Sequence, residues 1–332
     1  MTATPATMRA MRYTSFGPAS EVLSLAEVPT PKPRYGEVLV RLVASGVNPH
    51  DTKKRSGWLG VELPPGGVIP HSDGAGTIAA VGEGVPAARV GKRVFVHGAY
   101  AGAGTAAEYV SLPAHRAICI PDDISFVEGA SVGIPAFTAY FAVLSAGPVT
   151  GQTVLIHGGA GAVGRMAVEM AAWNGATVIA TVSSDSKAVL ARQSGADHVL
   201  DYRREDVAAR VAEITGGEGV DLIVDVDFGA NLEVDAACIK PNGRVACYSS
   251  TSNRTPTLPY YAFALKGCTL HLLQGARMPD RVQQDGARVI AGLLRRGHLH
   301  PQIAATFRLD ATAAAHDLLE SGTAVGNIVV TI

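Results

Sequence analysis

The chain of 332 residues carries 28 Lys and Arg against 29 Asp and Glu, a formal net charge of −1, so no overall field gathers nucleic acid or anionic lipid. Apolar residues make up 47% and charged ones 17%, which supplies buried cores and excludes a disordered chain, and the length favours two domains. No uninterrupted apolar run is long enough to span a bilayer, and Cys119, Cys238, Cys247 and Cys268 lack the spacing of a metal cage or a disulfide framework. They read as small buried side chains in a reducing cytoplasm.

In chain order, residues 1–11 are small and polar and read as a frayed tail, with Met8 as an alternative start. Residues 38–47 read as a strand, followed by short apolar runs at 74–81, 92–97 and 106–111 between Gly/Pro-rich turns, the pattern of a small irregular β-barrel. Near Asp122 the pattern changes. Ser125 and Glu128 have capping-box spacing, and the apolar run 130–144 follows with helical character.

From Thr153 onward, strand-like and amphipathic runs alternate: 154–157, 162–173, 177–182, 186–194, 199–200, 205–214, 222–226, 231–239 and 245–248. Such alternation specifies a parallel sheet covered by helices on both faces. A final stretch, 281–332, reads helix, short strand, helix at 312–320 and strand at 328–331, and is expected to return to the first domain. The boundaries drawn are 1–130 for the first part of a catalytic domain, 131–273 for a dinucleotide-binding domain, and 274–332 for the return segment.

Gly159, Gly161 and Gly164, with Ala160, Ala162 and Val163 between them, stand in G-x-G-x-x-G order directly after a strand and at the start of a helix. The first glycine permits the tight turn, the second admits the pyrophosphate to the backbone, and the third lets helix and strand approach. The helix N-terminus offers unpaired N–H groups to phosphate. Specificity is expected at the end of the second strand, Thr181-Val182-Ser183-Ser184. Asp185 sits near the spacing of a ribose-binding acid but is expected to cap the next helix. Ser183 and Ser184 can donate to a phosphate and Lys187 supplies positive charge, which favours NADPH over NADH.

Apart from its first few residues, the chain resembles the zinc-free quinone oxidoreductases, the ζ-crystallin-like branch of the medium-chain dehydrogenase/reductase superfamily. The motifs that carry the resemblance are Ser45-Gly-Val-Asn-Pro-His-Asp51 with Arg55-Ser-Gly57, Gly74-Ala-Gly76 to Val81-Gly82, and Gly91-Lys-Arg-Val94. Ala107-Glu-Tyr-Val110, Gly133-Ile-Pro-Ala-Phe-Thr-Ala-Tyr140, the glycine loop, Gly195-Ala196, and Ser321-Gly to Gly326 continue it. It implies an α/β protein: a GroES-like β-barrel catalytic domain built from both termini, and a Rossmann-fold domain with a doubly wound parallel sheet between them.

The resemblance also assigns residues. Lys187 and Tyr202 match positions that hold the 2′-phosphate, and Phe228, Tyr248 and Asn327 join the cofactor-binding set. Asn48 matches an asparagine near the nicotinamide, Thr138 a threonine facing the cofactor, and Phe137 and Trp58 are expected to line the substrate. Lys53 and Leu59 stand where related reductases often carry tyrosines. Lys53 is a candidate to stabilise an anionic product or relay a proton, although Lys53-Lys54-Arg55 reads more simply as a solvated basic run.

Zinc-dependent relatives need a thiolate and an imidazole at positions held here by Asn48 and Ser72, and the stretch 96–108 is rich in Gly and Ala where a four-cysteine lobe would stand, so no metal is expected. His71, one position from Ser72, reads as a turn residue. Without a Lewis acid, hydride must go to an acceptor that delocalises the charge it brings, such as a quinone or a conjugated enone. The expectation is therefore an NADPH:quinone oxidoreductase, cytoplasmic and homodimeric through a sheet edge at 268–273, with no nucleic-acid or membrane partner. An enoyl-thioester or enone reductase is the alternative enzyme, and an NADPH-binding protein without catalysis the alternative of another class. One-electron and two-electron transfer are not separated by the sequence.

Overall fold

A computed structural model describes residues 4–60, 62–99 and 103–332, with only the backbone of Leu59. The chain forms two compact units, one made of residues up to Ile134 together with Pro301–Ile332 and the other of Pro135–His300. Fold and both-termini construction follow the expected GroES-like and Rossmann pattern. The division itself falls at 134/135 and 300/301 and differs from the boundaries drawn from the sequence. Helix Asp280–Arg295 moves out of the return segment because it buries Ile290, Leu293 and Leu294, and its Gly286 abuts the rings of Tyr140 and Phe137 in the central unit.

In the central unit six strands run in the order His198–Asp201, Thr177–Val182, Thr153–Ile156, Val220–Asp225, Ile239–Cys247 and Thr269–Leu272. Every adjacent pair is parallel. The order reverses outward from Thr153–Ile156, and at such a switch point ligands reach the carboxyl ends of the strands. Thr177–Val182 is buried at five of its six positions, as an interior strand covered on both faces must be. Leu155, Ile179, Leu200, Val211, Ile223 and Val245 form the core on one side of the sheet.

Helix Ala162–Trp173 follows the first of these strands. Met166, Ala167, Met170 and Ala171 bury one stripe of it, and Gly175, at φ 83°, ends it by taking the left-handed conformation while Ala176 N–H returns to Ala171 O at 3.1 Å. The expected limits of this helix and of strand Thr177–Val182 are those observed.

The other unit holds a seven-stranded sheet in which the long strand Glu37–Val47 pairs with Asp73–Val81, Tyr109–Pro113 and Asn327–Thr331. The chain's last strand thus joins its first half. Gly46 is required here, because a Cβ would lie 2.1 Å from Ala130 O of helix Phe126–Ala130. That helix carries the expected capping box: Glu128 N–H donates to Ser125 Oγ at 3.1 Å and Ser125 N–H to Glu128 Oε2 at 2.8 Å.

Three expectations need correction. Residues 7–11 are not a frayed tail: Thr7–Arg12 is a strand paired with Ser24–Pro29, because Met8, Ala10 and Met11 are buried. The run read at 106–111 becomes Tyr109–Pro113, with Ala107 bridging Ala10 instead. Lys53-Lys54-Arg55 is no solvated run, since Pro49–Arg55 is a helix in which Arg55 is buried against Glu320 and Lys53 Nζ lies 4.4 Å from the centre of the Trp58 ring.

Candidate functional site

The strand Thr153–Ile156 hands the chain to His157 and then to Gly158, whose φ of 69° turns it sharply. A Cβ at Gly159 would lie 2.7 Å from that of Ala180, and one at Gly164 would lie 2.1 Å from Gly158 O. Only glycine fits at either place. Gly161 is the N-cap of helix Ala162–Trp173, with no side chain closing the cap. The N–H groups of Ala162, Val163 and Gly164 therefore open the helix without an intrahelical acceptor, next to its positive dipole end. The residues present fit a pyrophosphate.

Ser183 and Ser184 follow strand Thr177–Val182, and Tyr202 follows strand His198–Asp201 beside it, its N–H donating to Val182 O at 3.1 Å. Lys187 Nζ donates to Ser183 Oγ at 3.0 Å. The two hydroxyls, the ammonium and the half-exposed phenol are thus gathered at the carboxyl ends of two adjacent strands. Asp185 does not cap the next helix. Ser184 does, being extended at φ −168° and accepting from Lys187 N–H at 3.4 Å, and Asp185 becomes the first helical residue, exposed and 3.1 Å from Arg204.

The remaining candidates of this unit spread along it. Phe228 opens helix Phe228–Cys238 with its N–H on Ser249 O at 2.9 Å, and Tyr248 N–H donates to Asp225 O at 3.1 Å at the end of strand Ile239–Cys247. Thr138 and Phe137 lie on helix Gly133–Val143, where Phe137 is buried against Gly286.

In the unit built from both termini, Asn48 links two buried carboxyl groups. Its backbone N–H donates to Asp51 Oδ2 and its Nδ2 to Asp73 Oδ2, both at 2.8 Å, while Ile134 N–H gives Asp73 Oδ2 a second bond at 2.6 Å. Burial pushes Asp51 up to about 7 against the bonds from Asn48 and Ser72, and pushes Asp73 up to about 8 with help from the Asp51 charge. Two acids that titrate near neutrality therefore flank one amide. Asn327, also of this unit, is tied by Nδ2 to Gln302 O at 3.0 Å.

Sequence reasoning missed much of this cluster. Asp51 could have been found, since Asn48 and Asp51 have the spacing of a capping pair. Asp73, Ser45, Thr105 and His316 gave no signal. His71 is a turn residue at φ 72°, as read, but it is also buried, with Nδ1 2.8 Å from Ser45 Oγ and Nε2 2.8 Å from His316 Nε2. Burial lowers the pKa of both rings. Thr105 Oγ1 completes the chain at 2.8 Å from Ser45 Oγ. Leu59's side chain and residues 100–102 of the Gly/Ala-rich stretch lie outside the described residues. Among the described residues, no group of three or more His, Cys, Asp or Glu is placed to hold a metal ion. No helix among them is long and apolar enough to cross a membrane.

Comparison with known proteins fits both units. Residues 34–122 match the family model described as the alcohol dehydrogenase GroES-like domain, and residues 162–291 the model described as zinc-binding dehydrogenase. A quinone oxidoreductase of Lama guanicoe is 34% identical over 97% of this chain and 97% of its own. A 2-haloacrylate reductase of a Burkholderia species is 33% identical over 97% of this chain and 98% of its own. A mycobacterial protein solved in complex with NADPH superposes with a TM-score of 0.86 at 32% identity, over 98% of this chain and 100% of that one.

Proposed function

Because the chain belongs to the quinone oxidoreductase family of the medium-chain dehydrogenase/reductase superfamily, and is on that ground an NAD(P)-dependent oxidoreductase, we propose that it uses NADPH to reduce quinones or related conjugated carbonyls without zinc. The observation that carries the choice of coenzyme is the meeting of Ser183, Ser184, Lys187 and Tyr202 at the two strand ends, with no carboxylate at the end of strand Thr177–Val182. A 2′-phosphate would find hydroxyl donors and an ammonium there. The mycobacterial relative bound to NADPH supports the same reading.

When bound, NADPH supplies the hydride. The chain's own residues do the rest. The N–H groups at the start of helix Ala162–Trp173 would hold the pyrophosphate, with Gly164 allowing the close approach of helix and loop that this needs. Hydride transfer leaves negative charge on the acceptor, and Asn48 and Ser72 stand where zinc relatives place metal ligands. The Asn48 amide gives one Nδ2–H to Asp73, so it orients this buried corner, and the acceptor's own conjugation spreads the charge. Protonation then comes from solvent.

Mixing the protein with NADPH and 1,4-benzoquinone or 9,10-phenanthrenequinone is expected to consume NADPH, with turnover untouched by a zinc chelator. No turnover across a quinone and enone panel sinks the proposal. The likeness to a 2-haloacrylate reductase supports a second reading, reduction of an activated carbon–carbon double bond. It gains if crotonyl thioesters or enones turn over faster than quinones. Tight NADPH binding with no turnover of any acceptor leaves the binding-protein reading.

A homodimer through the sheet edge is proposed on the exposure of Leu272 in the edge strand Thr269–Leu272 and of Tyr261 and Leu265 just before it. Light scattering of Leu272→Glu beside the unaltered protein tests it: dissociation supports the edge, and two monomeric samples refute it.

A further inference from the structure

Beneath the glycine loop lies a polar cluster that no step above uses. His157, the residue between strand Thr153–Ile156 and Gly158, is buried, with Nε2 3.0 Å from Asp235 Oδ1 and Nδ1 3.3 Å from Thr181 Oγ1. Thr181 reaches the loop: its Oγ1 accepts Gly158 N–H at 3.2 Å, and its carbonyl accepts Gly159 N–H at 2.9 Å. Asp235 and Asp225 are both fully buried. Asp225 Oδ1 accepts Asp227 N–H at 2.8 Å and Asn231 Nδ2 at 2.7 Å.

Gly158 N–H donates to Thr181 Oγ1, so a continuous run of hydrogen-bonded groups, Thr181, His157 and Asp235, links the loop to a buried carboxyl group. Oδ2 of Asp225 and Oδ2 of Asp235 have no hydrogen-bond partner among the described residues.

We propose that Thr181 and His157 are positioning residues for the coenzyme, linking the glycine loop to the buried Asp235 carboxyl group, so that dinucleotide affinity follows the charge at the far end of this link. The proposal rests on the reading of the loop as the pyrophosphate site. Loss of a proton from Asp235 tightens its hold on His157 and adds negative charge under the loop read as the pyrophosphate site. Affinity therefore falls as pH rises. Burial, with Asp225 beside it, places the titration of Asp235 at about 7 despite the imidazole, and the hydrogen bond to Asp235 holds the His157 ring above its ordinary range against burial. The other titratable groups facing the cluster are Cys238 on helix Phe228–Cys238, Cys247 on strand Ile239–Cys247, and Tyr248 after it. Burial raises all three, Cys238 and Cys247 to about 12 and Tyr248 further, so none changes charge near neutrality.

The test is a set of NADPH titrations by fluorescence from pH 6 to pH 9 with the unaltered protein, Thr181→Val, Thr181→Ser and Asp235→Asn, and kcat measured alongside. Thr181→Val leaves Gly158 N–H without its acceptor and is expected to weaken NADPH binding about tenfold, more than it lowers kcat, with Thr181→Ser restoring it. Asp235→Asn is expected to flatten the fall in affinity between pH 6 and pH 9. The 2′-phosphate's own titration is common to all samples and cancels in the comparison. Unchanged binding by Thr181→Val, or an Asp235→Asn profile as steep as that of the unaltered protein, overturns the relay. If Asp235→Asn does not fold, the Thr181 pair still decides. An unaltered protein that binds no dinucleotide overturns the loop reading itself and the relay with it; one that binds while the variants behave identically overturns the relay alone.

Discussion

The two units place their polar chemistry by different means. In the central unit the polar groups at the loop belong to the backbone, the N–H groups at the start of helix Ala162–Trp173, and glycines hold them in place. In the other unit the polar centre is made of side chains, Asn48 between Asp51 and Asp73, and His71 between Ser45 and His316. A backbone device tolerates no added atom, whereas a side-chain cluster tolerates a change but charges for each lost bond. The first therefore fails abruptly on substitution and the second by degrees.

The sharpest contrast is expected at Gly164. A methyl group there meets Gly158 O at 2.1 Å, a backbone atom that cannot swing aside, so Gly164→Ala is expected to weaken dinucleotide binding by roughly a hundredfold or more, since a displacement of about 1 Å costs that much. Calorimetric titration with NADPH checks it, and binding within threefold of the unaltered protein would show that the loop is not a tight cradle.

Next in size is Asn48→Ala, which removes one of the bonds that Asp73 accepts and the side-chain bond to Asp51, while Ile134 N–H stays on Asp73 and the backbone N–H of residue 48 stays on Asp51. A loss of about 1 kcal/mol of stability is expected, read by chemical denaturation. No measurable loss would mean that the amide contributes nothing to this corner.

The smallest effect is the pH dependence of stability. Asp51 and Asp235, pushed to about 7, and Asp73, pushed to about 8, hold protons in the folded state that the unfolded chain releases near 4. Their raised values contribute stability that is lost as pH rises toward 8. His50, lowered to about 4, and His97 and His316, lowered to about 3, act in the opposite sense, removing stability as pH falls below 6.5. The two sets oppose each other in acid, and only the acids act above 6.5. The melting temperature is expected to fall between pH 6.5 and pH 8, and a rise across that interval would contradict the burial of these acids in protonated form.

The same division explains what the sequence could reveal. Gly159, Gly161 and Gly164 are close neighbours in the chain, and a backbone device must be written at fixed spacing, so the loop and its helix could be read with correct limits and the strand before it to within one residue at each end. The capping pair Ser125 and Glu128 was legible for the same reason. Local composition misled twice: the small and polar residues at the start of 1–11 masked the apolar Met8, Ala10 and Met11 that make a strand, and Ser184 took the cap that Asp185 was expected to hold. The side-chain clusters were illegible because their members are far apart. His71 meets His316 across 245 positions and His157 meets Asp235 across 78, and no spacing rule reaches that far. Their residue types alone permit too many other partners.

On the proposed reading, coenzyme choice joins the two kinds of evidence, since the pyrophosphate is common to both dinucleotides and only side chains beside the loop would choose between them. Titrating NADPH and NADH separately into the unaltered protein and into Lys187→Ala measures that choice directly. NADPH is expected to bind the unaltered protein more tightly, and Lys187→Ala to lose about tenfold in NADPH affinity, the worth of one charge-assisted contact, with NADH unaffected. Tighter binding of NADH by the unaltered protein, or a Lys187→Ala variant that keeps the full preference for NADPH, would contradict the assignment of Ser183, Ser184, Lys187 and Tyr202 to the 2′-phosphate.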